Sequence, residues 1–336
     1  MKEYIQKVTA LEHLSHEEAS SAMRCIMEGQ ATEAQIAAFL IALKMKGETS
    51  EELLGFVQTM REKSVKIQID DPNAIDMCGT GGDGTGTFNI STVASFVVAG
   101  AGVTVAKHGN RSISSSCGSA DVLKELGVVI DLPAEKVQNC IHTVGIGFLF
   151  APLFHPAMKF AAKPRAELGV KTCFNMLGPL TNPAGIQRQL VGVFNSTAAN
   201  IIASVYERLH PHHVCVVHSE DGLDEISLDA ETELWEIKQG FDISFKKLEA
   251  SSFGMKPSNG LLHSGGTAVQ NATIAHEILN GDHGSHLNIV LVNAAMGIYV
   301  AGKATTLKEG IELAKESIDS GKAKDKLQAL IEFTNR

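Results

Sequence analysis

Ala74-Ile75-Asp76-Met77-Cys78-Gly79-Thr80-Gly81-Gly82-Asp83-Gly84-Thr85-Gly86-Thr87-Phe88-Asn89-Ile90-Ser91-Thr92 runs from a short apolar segment, through a loop dense in glycine, into the start of an apolar helix near Ser91. A surface turn needs only one or two glycines. The five here (Gly79, Gly81, Gly82, Gly84, Gly86) let backbone N–H groups take positive φ and come close to a phosphate. The helix that follows adds the partial positive charge of its N-terminus. The stretch therefore predicts a strand, an anion-binding loop and a helix, the opening unit of an α/β fold. Two familiar phosphate motifs do not fit. Gly79-x-Gly81-x-x-Gly84 matches the dinucleotide fingerprint formally, but the helix begins too late after the glycines. The next apolar run, 103–106, also leads to Lys107 where a ribose-binding acid belongs. A Walker A loop would carry Lys-Ser/Thr after Gly84, where Thr85-Gly86 stands.

Outward from this loop, short apolar runs at 74–78, 103–106, 128–130 and 146–150 alternate with helical stretches, and the pattern resumes at 190–194 and 214–218. Strand alternating with helix predicts a mainly parallel sheet. Upstream, the first 64 residues read as three helices. Ser15-x-x-Glu18, Thr32-x-x-Gln35 and Thr49-x-x-Glu52 each fit the capping box, in which hydroxyl and carboxylate or amide satisfy orphan backbone donors reciprocally. Ile36, Phe39, Leu40 and Leu43 recur at helical spacing ahead of Gly47, which suits a left-handed C-terminal cap. Between 160 and 183 the alternation lapses around Pro164, Pro179 and Pro183, and this stretch reads as a return to the helical part. The tail, 306–335, is helical again, opened by Thr306-x-x-Glu309. The expected architecture is α/β, with a small all-helical domain (1–70 with about 163–187) and a larger α/β domain (71–162 and 188–336) around a mainly parallel sheet.

The 336 residues, 44% hydrophobic and 20% charged, have the composition of a soluble globular protein with a sizeable core. Cys25, Cys78, Cys117, Cys140, Cys173 and Cys215 are scattered, form no C-x-x-C pair and sit mostly in apolar runs, so they read as reduced core residues. Met1-Lys2-Glu3 has no apolar segment behind it, and the longest apolar runs fall short of a membrane span, so a cytoplasmic location is expected. The net charge of -9 argues against broad binding to nucleic acid or anionic lipid, which requires a positive face. A small polyanion would have to be gripped by a local cluster of cations, N–H groups or metal.

Such clusters exist. The second predicted strand opens into Lys107-His108-Gly109-Asn110-Arg111-Ser112-Ile113-Ser114-Ser115-Ser116-Cys117-Gly118-Ser119, which combines two permanent cations, an imidazole and many hydroxyl and backbone donors. At a strand's C-terminal end it would face the same crevice as the glycine loop, and the two together suit a pyrophosphate with a sugar between. Alone, a basic Ser-rich loop is more often solvated surface. His218-Ser219-Glu220-Asp221-Gly222-Leu223-Asp224-Glu225 follows another predicted strand and offers four carboxylates around a turn. Magnesium prefers one or two carboxylates plus phosphate oxygens, although acidic turns are usually only solvated. Arg165, in Lys163-Pro164-Arg165, has the planar fork that matches a carboxylate bidentately, or it is an ordinary surface pair.

Gly79-Thr80-Gly81-Gly82-Asp83, Lys107-His108-Gly109-Asn110-Arg111-Ser112, Met176-Leu177-Gly178-Pro179-Leu180-Thr181-Asn182-Pro183 and Asp224-Glu225 closely resemble the anthranilate phosphoribosyltransferase family of the tryptophan pathway. The resemblance spans essentially the whole chain, with no departure at the motif positions. It implies a homodimer whose subunit has its active site in the cleft between a small helical domain and a larger α/β domain. It also implies transfer of the phosphoribosyl group of 5-phosphoribosyl 1-pyrophosphate to the amine of anthranilate, the second step of tryptophan biosynthesis from chorismate. By matching positions, Gly79, Gly82, Asp83, Thr87, Asn89, Ile90, Ser91, Thr92, the residues from Lys107 through Ser115, and Ser119 would hold the sugar donor. Ser91, Asp224 and Glu225 would hold Mg2+. Gly79, Asn110 and Arg165 would contact anthranilate, with His108 bordering its pocket. In the chemistry this implies, Lys107 stabilises departing pyrophosphate, Asn110 and Arg165 orient the amine, and His108 either accepts its proton late or shapes the pocket.

Two rival readings carry different expectations. A nucleoside phosphorylase of the same fold would split a base from ribose with inorganic phosphate and would not need magnesium. A non-catalytic, nucleic-acid-binding relative would carry a basic cleft and damaged donor loops, against the charge of -9 and the intact loops here.

Overall fold

The computed structural model of the chain describes residues 1–111, 117–258, 264–282 and 284–336. It opens with α1 (Lys2–Thr9), α2 (His16–Met27), α3 (Glu33–Lys46) and α4 (Ser50–Lys63). All three expected capping boxes form, at Ser15, Thr32 and Thr49. The bundle nevertheless has four helices rather than three, because α1 begins at Met1 without any side-chain cap to announce it. Gly47 takes the positive φ expected of it (87°), but its ψ of 128° sends the chain away extended instead of curling into a left-handed cap.

The α/β part continues with β1 (Ile75–Gly79), α5 (Ile90–Gly100), β2 (Val105–Gly109), α6 (Ser119–Glu125), α7 (Ala134–Val144), β3 (Ile146–Phe150), α8 (Ala151–Phe154), α9 (Lys159–Leu168) and α10 (Cys173–Leu180). Then follow β4 (Arg188–Gly192), α11 (Ser196–Leu209), β5 (His213–Ser219), β6 (Thr232–Lys238), β7 (Ser244–Leu248), α12 (Ala268–Leu279), α13 (Ser285–Val300), α14 (Leu307–Asp319) and α15 (Lys322–Thr334). One sheet runs in the order β3-β2-β1-β4-β5-β6-β7. Its first five strands are parallel, and β6 and β7 add an antiparallel edge. The charged Glu233, Glu236 and Lys238 interrupt the apolar pattern of β6, which is why the alternation did not announce it.

Two expectations fail locally. The run 128–130 is not a strand: Val128 N–H bonds the Leu123 carbonyl and Val129 N–H the Thr334 hydroxyl, so α6 and α15 take up the donors a sheet would have used. At α14, Thr306 accepts from Glu309 N–H, but the Glu309 carboxylate turns to Thr305 N–H (2.7 Å), leaving half a capping box.

The strands bury both faces in alternation. Cys215 and Val217 of β5 join the core beneath α5, α13, α14 and α15, whereas Val214 and Val216 join the core on the α11 face. That second core continues through Phe174 and Leu177 of α10 into Phe39, Leu40 and Phe56 of the bundle. The six cysteines are free thiols, five buried and Cys25 half-buried. β1 is flanked by β2 on one side and β4 on the other, so the strand order reverses there. This topological switch point opens a crevice beyond the strands' C-terminal ends.

Candidate active site

The glycine loop leaves β1 at that crevice. Gly81, Gly82, Gly84 and Gly86 all take positive φ, 64° to 77°, which L side chains rarely adopt. Gly79 and Gly192 are needed for a different reason, the close approach of the acidic turn after β5. A Cβ on Gly79 would lie 2.6 Å from Asp224 Oδ2, and one on Gly192 would lie 1.6 Å from the Asp224 carbonyl oxygen. Asp224 thus crosses the ends of β4 and β1, and its Oδ2 accepts from Gly81 N–H at 3.0 Å. Glu225 Oε1 accepts from Ser91 N–H (3.1 Å), in the first turn of α5.

Lys107, pointing from β2, is buried; its ammonium donates to the Met77 carbonyl and to Ser91 Oγ (3.3 Å). Ser91 is therefore the meeting point of the glycine loop, the basic loop and the acidic turn. Loss of hydration, with Asp83 nearby, raises the Asp224 carboxyl above its ordinary range. Loss of hydration and Asp224 itself do the same to Glu225. Burial lowers Lys107 against the pull of Asp76, Cys78 and the two acids. Asp224 and Glu225 share one lysine that also faces a third carboxylate, Asp76, so a hard dication with oxygen ligands fits the residual charge.

Asp76, wholly buried in β1, anchors the other side. Its Oδ1 accepts from His108 N–H (3.0 Å), and its Oδ2 accepts from Asn182 Nδ2 (2.8 Å) and Gln189 Nε2 (3.2 Å). The His108 Nδ1–H donates to the Gly178 carbonyl at 3.2 Å, which sets the neutral tautomer. Its Nε2 has no hydrogen-bond partner among the described residues, and the same is true of His155 Nε2. The two rings lie 5.2 Å apart. Burial drives His108 down to about 3 and His155 to about 4, so both are neutral near pH 7.

Arg165, half-buried in α9, stacks its guanidinium 4.9 Å from the Phe174 ring of α10. Among the described residues no carboxylate pairs with it, and the charge influence on it comes from Cys173. Phe174 and Gly178 stand one helical turn apart on α10, so that helix carries both the support for Arg165 and the carbonyl that orients His108. Asn110 follows β2 directly, exposed, with its carbonyl accepting from Ser119 Oγ (3.3 Å) and its Oδ1 accepting from Arg111 N–H (2.8 Å). Arg111 lies over Phe150 at 5.9 Å. Asp83 accepts from Thr85 in the loop, and Thr87 pairs with Ser264. Ile90 and Thr92, in the first turn of α5, are buried, Ile90 within the main core. Ser112, Ile113, Ser114 and Ser115 lie outside the described residues.

Residues 71–324 match the model of the glycosyl transferase family a/b domain, and 2–64 that of the glycosyl transferase family helical bundle domain. The anthranilate phosphoribosyltransferase of Pelotomaculum thermopropionicum is 51% identical over 334 residues, covering 99% of this chain and 96% of the relative. The chain belongs to the anthranilate phosphoribosyltransferase family. The anthranilate phosphoribosyltransferase of Thermus thermophilus superimposes with a TM-score of 0.91 at 40% identity, covering 99% of both chains. The Saccharomyces cerevisiae anthranilate phosphoribosyltransferase, solved in complex with PRPP and Mg, gives a TM-score of 0.90 at 28% identity, covering 99% of this chain and 97% of that one.

Around the motifs of the anthranilate phosphoribosyltransferase family, the structure adds residues that the sequence reading passed over. Asp76, Gln189 and Tyr206 form a buried chain to the Pro179 carbonyl, with Tyr206 Oη donating to Gln189 Oε1 at 2.9 Å. Asn271 accepts from Asn89 N–H (2.8 Å) while donating to the Gly265 and Thr267 carbonyls, and so ties the start of α12 to the start of α5. The available signal was a polar residue in an otherwise apolar run, as with Asp76 between Ile75 and Met77.

Proposed function

We propose that the chain transfers the phosphoribosyl group of 5-phosphoribosyl 1-pyrophosphate to the amine of anthranilate, giving N-(5-phosphoribosyl)anthranilate and pyrophosphate. The observation that carries this reading is the convergence at Ser91 of three separate loops: one rich in backbone donors, one basic and one acidic. Family membership and near-complete coverage by the relatives support the same substrates.

The amine attacks the anomeric carbon as pyrophosphate leaves, so positive charge grows on the sugar and negative charge on the departing oxygens. Lys107 and the N–H groups of the glycine loop stabilise the leaving group from fixed positions. Asp224, Glu225 and Ser91 would hold Mg2+, which would supply further positive charge to the pyrophosphate oxygens. Arg165 takes the acceptor's carboxylate on its in-plane fork of N–H donors and Asn110 aligns the amine, turning the encounter into an intramolecular one. An aromatic amine is neutral near pH 7 and needs no strong base. His108, neutral and with a bare Nε2 lone pair, suits the role of pocket wall and weak late acceptor of the amine proton.

Residues 1–70 with about 163–187 make up the small domain in this reading, supported by the core that α10 shares with α3 and α4. The subunits pair as a homodimer, supported by the exposed apolar Leu11 and Met45 beside and on the packed helices α1 and α3. A cytoplasmic site of action without nucleic acid agrees with the charge of -9 and the free thiols; no described helix is long and apolar enough to cross a membrane. The test is the fluorescence of anthranilate. Signal falls when donor and Mg2+ are added together, and not with either alone or with chelator present. Unchanged fluorescence, together with chelator-resistant release of a base from a nucleoside by inorganic phosphate, would point to a phosphorylase instead.

A further inference from the structure

α13 is apolar through its length, with Val290, Val292, Ala294 and Met296 buried, yet Asn293 sits among them with no exposed surface. An unpaired amide there would cost about 1–3 kcal/mol. Asn293 is instead fully engaged, and its partners lie beside the metal acids. Its Oδ1 accepts from Ile226 N–H at 3.0 Å; its Nδ2 donates to the Ile226 carbonyl (3.1 Å) and to the Ile289 carbonyl (2.9 Å).

Residues 224–226 belong to neither helix nor strand, so nothing regular fixes their peptide planes. The Glu225–Ile226 peptide is gripped at both edges, its carbonyl by Ser219 Oγ (2.7 Å) and its N–H by Asn293. The next peptide is gripped by the same pair, its carbonyl by Asn293 Nδ2 and its Ser227 N–H by Ser219 Oγ (3.2 Å). Two consecutive planes held by two buried side chains fix φ and ψ of Ile226, and with them the peptide plane that leaves the Glu225 Cα. The carboxylate is thereby aimed at Ser91 although its own charge resists the site.

We propose that Asn293 is a positioning residue for the metal-bearing acids, holding the backbone on which Glu225 stands. This deepens, and rests on, the reading of Asp224 and Glu225 as metal holders. Ligand-orienting partners of this kind change metal affinity about 10- to 100-fold when lost.

The test uses the full chain with Asn293→Asp, which keeps the acceptor and loses a donor, and Asn293→Ala, which loses both. Mn2+ binding is read by electron paramagnetic resonance, and the Mg2+ concentration for half-maximal turnover by anthranilate fluorescence. Ser317→Ala, which breaks a buried bond to the Val97 carbonyl away from the acids, controls for simple destabilisation. We expect Mn2+ binding weakened about fivefold by Asn293→Asp and tenfold or more by Asn293→Ala, with the KM for anthranilate within about twofold and Ser317→Ala unchanged. Either Asn293 variant, folded and binding Mn2+ like the wild type, overturns the proposal. Asp224→Asn separates the two failures. If it abolishes Mn2+ binding while the Asn293 variants do not, only the positioning role falls; if it too leaves binding intact, the metal reading falls and takes the proposal with it.

Discussion

The two walls of the crevice handle charge in opposite ways. On the side proposed to take the sugar donor Asp224 and Glu225 keep carboxylates half-withdrawn from water, facing backbone N–H groups and one shared lysine. On the side proposed to take the acceptor the imidazoles of His108 and His155 are neutral, and the cation Arg165 rests on an aromatic face. Charge left short of partners is a liability in an empty site and an asset once a dication and a polyanion arrive. A wall of neutral rings and one guanidinium carries little charge to satisfy and, in the proposed reading, discriminates by shape and one carboxylate. In the proposed reading, the contrast teaches that the donor wall is built for its ligands' charge, at some cost to the fold, whereas the acceptor wall is built for their outline.

The sharpest way to break this contrast is Asp224→Asn combined with Glu225→Gln. Magnesium-dependent turnover should fall about 100-fold or more, as when a fixed electrostatic stabiliser is removed. The fold should respond in the opposite sense. Both carboxyls sit above their ordinary range, so between about pH 5 and 8 the folded chain holds protons the unfolded chain has released, and stability declines as pH rises. Neutral isosteres remove that loss, and the metal-free melting temperature at pH 8 should rise by about 2 °C or more. A variant that keeps its magnesium dependence would reduce the acids to a solvated turn. Next in size, Arg165→Ala should raise the KM for anthranilate about 10- to 100-fold, the worth of a charged hydrogen-bond pair, and leave that for the sugar donor within about twofold. Equal effects on both would move Arg165 off the acceptor wall.

The smallest effect concerns the neutral rings. His155 is depressed to about 4, so the unfolded chain takes up the proton first. Its contribution is complete above about pH 6.5 and is lost as pH falls toward 4, by at most about 1.4 kcal/mol per unit. The slope of melting temperature against pH in that window should flatten in His155→Gln relative to the wild type. Parallel slopes would show that the ring is charged in the folded chain.

What could be read from the chain follows the range of the interactions involved. Capping at Ser15, Thr32 and Thr49 is decided within four residues, and so was legible. The glycine loop announced itself because positive φ has a residue type of its own. α1 has no side-chain signal at its start, and β6 hides behind charges that its neighbours neutralise, Glu236 being met by Lys238 and Lys246. The acids and the loop they serve are far apart in sequence, Ser91 from Glu225 and Gly81 from Asp224, and no periodicity reports a bond of that reach. Only the resemblance joined them beforehand. Asp76, Asn271 and Asn293 were passed over because a buried polar residue inside an apolar run is visible as an anomaly but not as a partner.

Gly192 touches no substrate in this account and carries no side chain, yet any Cβ there would collide with the Asp224 carbonyl. In a map of tolerated substitutions it would look as intolerant as Lys107. Silence at such a position would record a shortage of room, and an engineer seeking to retune this enzyme should count it among the places where variation is closed rather than among the groups that react.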